Sequence, residues 1–229
     1  MKRLLILLAV LALVPAASAR ADGIVNAGFW TDGVASVHLA SFYNGGVRIG
    51  AVPFDINGWK FDAYCVSDLN IDNLPNTYRY EGPLSMANDW ATFPSNFGFA
   101  ADAGKRAALL YNTYANHAGI DRGALGIAIW NAVWDTDTSV TSGAGSVYVN
   151  GSGALVDHAN SYLLALTNAN AVAAADASYF RLFYPAAGTT AGTEVQGFMG
   201  PQVPEPGSML LLGTGLIGLA AAVRRRVKK

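Results

Sequence analysis

Cysteine is almost absent from this 229-residue chain, which has only Cys65. A single thiol excludes an internal disulfide framework and a Cys-rich zinc site. Charge is also sparse, at 14% Asp, Glu, Lys and Arg, against about 25% in an average globular protein. Glutamine occurs twice, at Gln196 and Gln202. The three histidines, His38, His117 and His158, are widely separated, and none pairs at i+4 as on a zinc-binding helix. There is no G-x-S-x-G nucleophile elbow. The glycine-rich Gly143-Ala144-Gly145-Ser146 lacks the lysine of a phosphate loop. These absences set the expectation of a protein that is not an enzyme, with no cofactor and no metal site. Disorder is not expected, since 52% of residues are hydrophobic and 11% aromatic.

What charge there is lies unevenly. Seven of the fifteen basic residues are Lys2, Arg3, Arg224, Arg225, Arg226, Lys228 and Lys229. Residues 20–203 keep eight, against fifteen of the sixteen acids, for a net charge of −7. Phosphate-backbone binding needs clustered Lys and Arg, so nucleic acid is not an expected partner.

Apolar residues concentrate at both ends. Lys2 and Arg3 precede an apolar run from Leu4 to Val14, and Ala17-Ser18-Ala19 follows with the small-x-small spacing of a cleavage site. That order is a secretory signal peptide over 1–19, cut after Ala19. Eleven apolar residues are too few to span a bilayer, which needs about 20. The expected handlers are the Sec translocon and signal peptidase. At the other end, Val203-Pro204-Glu205-Pro206-Gly207 leads into an apolar run from Met209 to Val223, closed by Arg224-Arg225-Arg226. A span over about 207–223 is short for a hydrocarbon core of about 30 Å, but arginines at its end can snorkel. The positive-inside rule places the basic tail, 224–229, on the cytoplasmic side and the main domain across the membrane.

Between the ends, residues 20–200 read as one domain. Asn44-Gly45 and Asn57-Gly58 are hairpin turn signals. Trp59–Val66 reads as a strand with Phe61, Ala63 and Cys65 on one face. Ala103, Ala107, Leu110, Tyr111, Tyr114 and Ala118 recur at helical spacing, with Gly119 as a stop. Asp121 is placed to cap a second helix whose buried face is Leu125, Ala128, Ile129, Ala132 and Val133. Leu155, Ala159, Tyr162, Leu163 and Leu166 repeat the pattern. Strands return at Ser178–Tyr184 and Glu194–Met199. Strands, then helices, then strands predict an α+β fold: a β-sandwich or barrel with a helical insert, flanked by the signal peptide and a C-terminal transmembrane helix.

The C-terminal segment, 201–229, resembles the PEP-CTERM sorting signal of Gram-negative bacteria: motif at Val203, Pro204, Glu205 and Pro206, then a short span, then a basic stop at Arg224, Arg225 and Arg226. The resemblance implies transient anchoring in the inner membrane. It also implies processing near the motif by an exosortase, in hosts that usually make exopolysaccharide, and delivery to the cell surface or beyond it.

The body resembles a second group over roughly 47–135. Gly58–Asp68, containing Tyr64-Cys65-Val66, and Leu109–Asn112 through Gly126-Ile127-Ala128-Ile129-Trp130-Asn131 are similar to thioester domains. Their pattern is a Y-C-V-D strand and a later Q-x-A-I-W helix. In that group Cys and Gln condense with loss of ammonia, and an amine on a partner attacks the product. Here Gly126 stands at the Gln position, and Ser67 displaces Asp68 by one residue. The resemblance therefore implies the fold without the bond, with a Cys65–Gln196 thioester left open as an alternative.

Further candidates are weaker. Asp135-Thr136-Asp137-Thr138-Ser139 and Asp68-Leu69-Asn70-Ile71-Asp72-Asn73 alternate oxygen ligands as calcium loops do. Neither has the Gly and Glu of an EF-hand, so solvated turns are expected instead. Asp62, Asp68, Asp72, Glu81 and Asp89 are read as scattered surface acids rather than a hydrolase pair. Trp130 and Trp134 lie one helical turn apart on the face of Gly126, as a packing cluster or a sugar-stacking pair. The resulting expectation is an exported surface or matrix protein with a non-catalytic domain that binds exopolysaccharide or another surface protein. A covalent adhesin and an extracellular polymer-acting enzyme are the alternatives.

Overall fold

The computed structural model describes residues 23–27, 34–39, 43–56, 59–66, 77–80, 99–185 and 197–201, with isolated positions 214, 215, 218 and 224. The chain divides into two units, Asp22–Gln202 and a second made of Met1–Ala21 and Val203–Lys229.

The first unit begins with six strands: β1 (Gly23–Ala27), β2 (Val34–Leu39), β3 (Tyr43–Arg48), β4 (Val52–Ile56), β5 (Trp59–Cys65) and β6 (Thr77–Tyr80). Helices α1 (Ala103–Tyr114) and α2 (Arg122–Trp134), strand β7 (Val147–Val149), and helices α3 (Ala154–Leu163) and α4 (Ala169–Ala174) follow. Strands β8 (Phe180–Pro185) and β9 (Phe198–Pro201) complete the unit. The class is mixed helix and sheet, and the helices enter as an insert between β6 and β8, as expected.

All pairings are antiparallel. One sheet has the order β3-β2-β7, and the other β1-β4-β5-β9-β8-β6, with β6 also pairing to β1. Three joints of the larger sheet, β1–β4, β5–β9 and β6–β8, carry only two register pairs each. Of the expected sandwich or barrel, the structure has two sheets, the larger running its six strands around aromatic side chains, with β6 meeting β1 and short ladders at three joints. Phe54, opposite Phe61 in register, packs edge-on against Phe183 at 5.3 Å and tilted against Phe198 at 5.5 Å. Each such ring pair is worth about 0.5–1.5 kcal/mol beyond its buried area.

Two turn readings separate on register. Ile56 pairs with Trp59, which puts the reversal between β4 and β5 where expected, while Asn57 and Gly58 themselves lie outside the described residues. Asn44-Gly45 is not a turn. Both residues lie inside β3, opposite His38 and Val37, because the pairing of Leu39 with Tyr43 moves the reversal to 40–42.

Helix α2 is the centre of the insert. Every residue from Gly123 to Val133 is buried, which marks a helix packed on all sides rather than an amphipathic one. It packs against α1, α3, β5 and β7. Its start is fixed by the expected cap, in which the Asp121 carboxylate accepts from Ala124 N–H at 2.9 Å. Helix α1 ends at Tyr114, a turn before Gly119, and Ala118 is exposed.

No helix among the described residues is long and apolar enough to cross a membrane. The expected span lies mostly outside those residues. Thr214, Gly215, Gly218 and Arg224 have helical backbone.

Candidate functional site

The end of β5 and the middle of α2 form the site to which the sequence points. Cys65 and Gly126 line one narrow crevice with Ile49, Gly50, Ile127 and Trp130, and no water molecule fits inside it. Cys65 is 2% exposed. Gly126 allows α2 to approach the chain at Gly50, since a Cβ there would sit 3.3 Å from the Gly50 carbonyl oxygen and 3.7 Å from the Tyr64 ring. The structure thus brings the two singled-out positions together. The first atom that a side chain at 126 would meet is backbone oxygen, tighter than ordinary contact. A reactive thiol needs access and an electropositive setting. Cys65 sits instead among apolar walls and backbone. Gln196, the other possible partner, lies outside the described residues.

Trp130 and Trp134 stack at 6.1 Å with an interplanar angle of 19°. Trp130 is 2% exposed, which makes it a packing residue rather than a sugar platform, and Trp134 is half-buried beside it. Its indole N–H is buried with no hydrogen-bond partner.

The Asp135–Ser139 loop is a braced turn. Asp135 accepts from the N–H groups of Thr136, Asp137, Ser146 and Val147. Asp137 Oδ1 accepts from Asn131 Nδ2 at 2.7 Å and from Ser139 N–H at 3.3 Å. Gly145, at φ +53°, lies where any Cβ would strike both carboxylates. The cation is already present as Arg106 on α1, which donates to the carbonyls of Ala132, Thr136 and Asp137 at 3.1, 3.2 and 2.9 Å. Burial lowers the Arg106 pKa, while Asp135, Asp137 and Asp102 oppose the shift. The expected solvated turn is thus corrected to a half-buried one, held from inside by a guanidinium 29 to 31 residues away in sequence. Among the described residues, no group of three or more His, Cys, Asp or Glu is placed to hold a metal ion. The second candidate loop, Asp68–Asn73, lies outside the described residues.

Of the five acids weighed as a hydrolase pair, only Asp62 is described. It is held in an ion pair, with Arg122 Nε at 2.6 Å from its Oδ2. Its carbonyl accepts from the Tyr111 hydroxyl at 2.7 Å, joining β5 to α1. Tyr111 is 4% exposed, and its phenol pKa is pushed up, first by burial and then by Tyr64 and Asp62. Sequence spacing could not reveal these ties, because their partners are 49 and 60 residues apart.

Ala17, Ala19, Val203, Pro204, Glu205, Pro206, Arg225 and Arg226 lie outside the described residues. Arg224 is exposed, with helical backbone. What decides the meaning of the C-terminal segment is its sequence. Residues 202–226 match the PEP-CTERM protein-sorting motif. The PEP-CTERM motif begins at Gln202, the residue after β9, and implies export and recognition by an exosortase. The match stops short of the body, so the resemblance of residues 47–135 to thioester domains has no support from it. Neither the curated proteins nor the solved structures include a match to the chain.

Proposed function

We propose that this protein is exported, held briefly in the inner membrane by residues 207–223, processed by an exosortase near Pro204-Glu205-Pro206, and delivered to the cell surface or extracellular matrix. There its mixed helix-and-sheet domain acts as a non-catalytic binding module for extracellular polysaccharide. The observation carrying the reading is the PEP-CTERM motif over 202–226, starting directly after the last strand of the domain. Support for a non-catalytic module comes from the site itself, where the one thiol is buried without room for water and Asp62 is committed to Arg122.

The test is expression of the full chain, tagged within the exported domain, in a host with an active exosortase and in the same host lacking it. A shorter form outside the cell in the first, and a full-length membrane-bound form in the second, is expected. Identical full-length protein in both would overturn the sorting step. Turnover of host polysaccharide by the purified protein would overturn the non-catalytic assignment.

A further inference from the structure

The starting half of β5 borders a groove distinct from the Cys65 crevice. The β5–β9 ladder has only the pairs Tyr64 with Met199 and Cys65 with Phe198. Continued, the register would bring Ala63 opposite Gly200 and then Asp62 opposite Pro201, which has no N–H to donate, and the ladder ends before both. Trp59–Asp62 is therefore laddered by β4 alone among the described strands. Two cavities of about 440 and 320 Å³ open along this stretch. They share Lys60, Phe61 and Asn116 as walls, so they lie side by side and are taken together as one groove. Each is in the size range of ligand pockets, about 300–1,000 Å³.

The lining has a consistent chemistry. Trp59 and Tyr179 belong to the smaller cavity, and Tyr179 is 65% exposed, an unusual state for so large an apolar ring. Asn112 and Asn116, both exposed, add amides that donate and accept. Lys60 is exposed between the two cavities, and Arg122 lies in the larger one beside Asp62. Flat ring faces suit the C–H faces of a sugar, and amides suit its hydroxyls. A purely apolar ligand would leave the amides without partners. With Arg122 held by Asp62, Lys60 leaves the groove with a positive charge, within a segment whose net charge is −7. That local reversal of sign favours an anionic ligand.

We propose that this groove binds a segment of an acidic polysaccharide, its rings on Trp59 and Tyr179, its hydroxyls on Asn112 and Asn116, and its carboxylates toward Lys60. The inference rests on the binding-module reading above and names the site and the ligand class.

The test is calorimetric titration of the full chain, in detergent micelles, with a galacturonate hexamer and with the same hexamer methyl-esterified. The acid is expected to bind and the ester to bind several-fold more weakly, with the difference shrinking as salt rises. Tyr179→Ala should weaken the acid by about tenfold. Lys60→Gln should erase most of the acid–ester difference. Both replaced side chains are exposed, and circular dichroism confirms the fold of each variant. Leu164→Ala removes a comparably exposed side chain outside the groove and should change nothing. Unchanged affinity in the Tyr179→Ala/Lys60→Gln double variant, or an equal loss in Leu164→Ala, would overturn the groove while leaving the binding-module reading intact. Equal binding of acid and ester would overturn the acidic class. Failure of both hexamers to bind would overturn the groove and the polysaccharide reading together, with the exosortase experiment unaffected.

Discussion

Gly126 lines the Cys65 crevice, and its surroundings leave a side chain there little space. The atom a Cβ would meet at 3.3 Å is a backbone oxygen, that of Gly50, and the crevice alongside has no room for water. Gly126→Gln is therefore expected to destabilise the domain by about 1–3 kcal/mol through overpacking, measured by urea denaturation. Its intact mass should show no loss of ammonia, and its Cys65 should react with thiol reagents only on unfolding. A mass deficit reversed by methylamine would instead show that the pocket still accommodates the bond. Tyr111 gives a second prediction at this scale. Its phenol titrates higher in the folded state than its ordinary value of about 10. A group raised in this way contributes stability that is complete below pH 10 and is lost as pH rises beyond it. Above pH 10 the native protein should lose up to about 1.4 kcal/mol per pH unit more than Tyr111→Phe does. Parallel stability profiles for the two would contradict it. The variant should also be less stable at neutral pH by about 1 kcal/mol, for the lost bond to the Asp62 carbonyl.

Elements show which features were legible in the sequence. The Asp121 cap, the reversal between β4 and β5 and the long buried face of α2 were all readable, because each depends on residues a few positions apart. Asn44-Gly45 misled because a turn signal competes with register, and here the pairing of β2 with β3 decided where the chain reversed. The aspartates after α2 misled for a different reason. Their counter-charge comes from Arg106 on another helix, so local spacing showed the carboxylates and hid the guanidinium. The same blindness covers the Tyr111 tie to β5 and the juxtaposition of the groove's walls, which come from β5, the end of α1 and the turn before β8. Arg106→Lys tests the brace. Lysine keeps the charge but cannot present the fork that reaches three carbonyls at once. The variant is expected to lose about 1.5–3 kcal/mol, with hydrogen exchange quickening first at Asp137 and Ser139. Stability within about 0.5 kcal/mol of wild type would show that the charge alone holds the loop.

At the scale of the whole molecule, the question is whether removing the sorting segment disturbs the domain. Strand β9 is the last strand before the motif. Its Phe198 and Met199 are wholly buried, and it hydrogen-bonds β5 on one side and β8 on the other. Phe198 also belongs to the aromatic centre through Phe54. The motif match begins only after Pro201. A cut near Pro204-Glu205-Pro206 therefore leaves β9 with the domain, whereas a cut only a few residues earlier would remove it. Two truncations express this difference. A chain ending at Gln202 is expected to keep the denaturation midpoint of the full-length domain, because none of the described core lies beyond it. A chain ending at Gly197 loses a buried Phe and a buried Met and leaves the edges of β5 and β8 unpaired at those positions. Deleting one buried Phe side chain alone typically costs about 3–5 kcal/mol, a large share of the roughly 5–15 kcal/mol that holds a domain together. The shorter chain is thus expected to unfold or aggregate through its open strand edges. Equal stability of the two truncations would mean that β9 is dispensable. The position of the sorting motif would then owe nothing to the fold that precedes it.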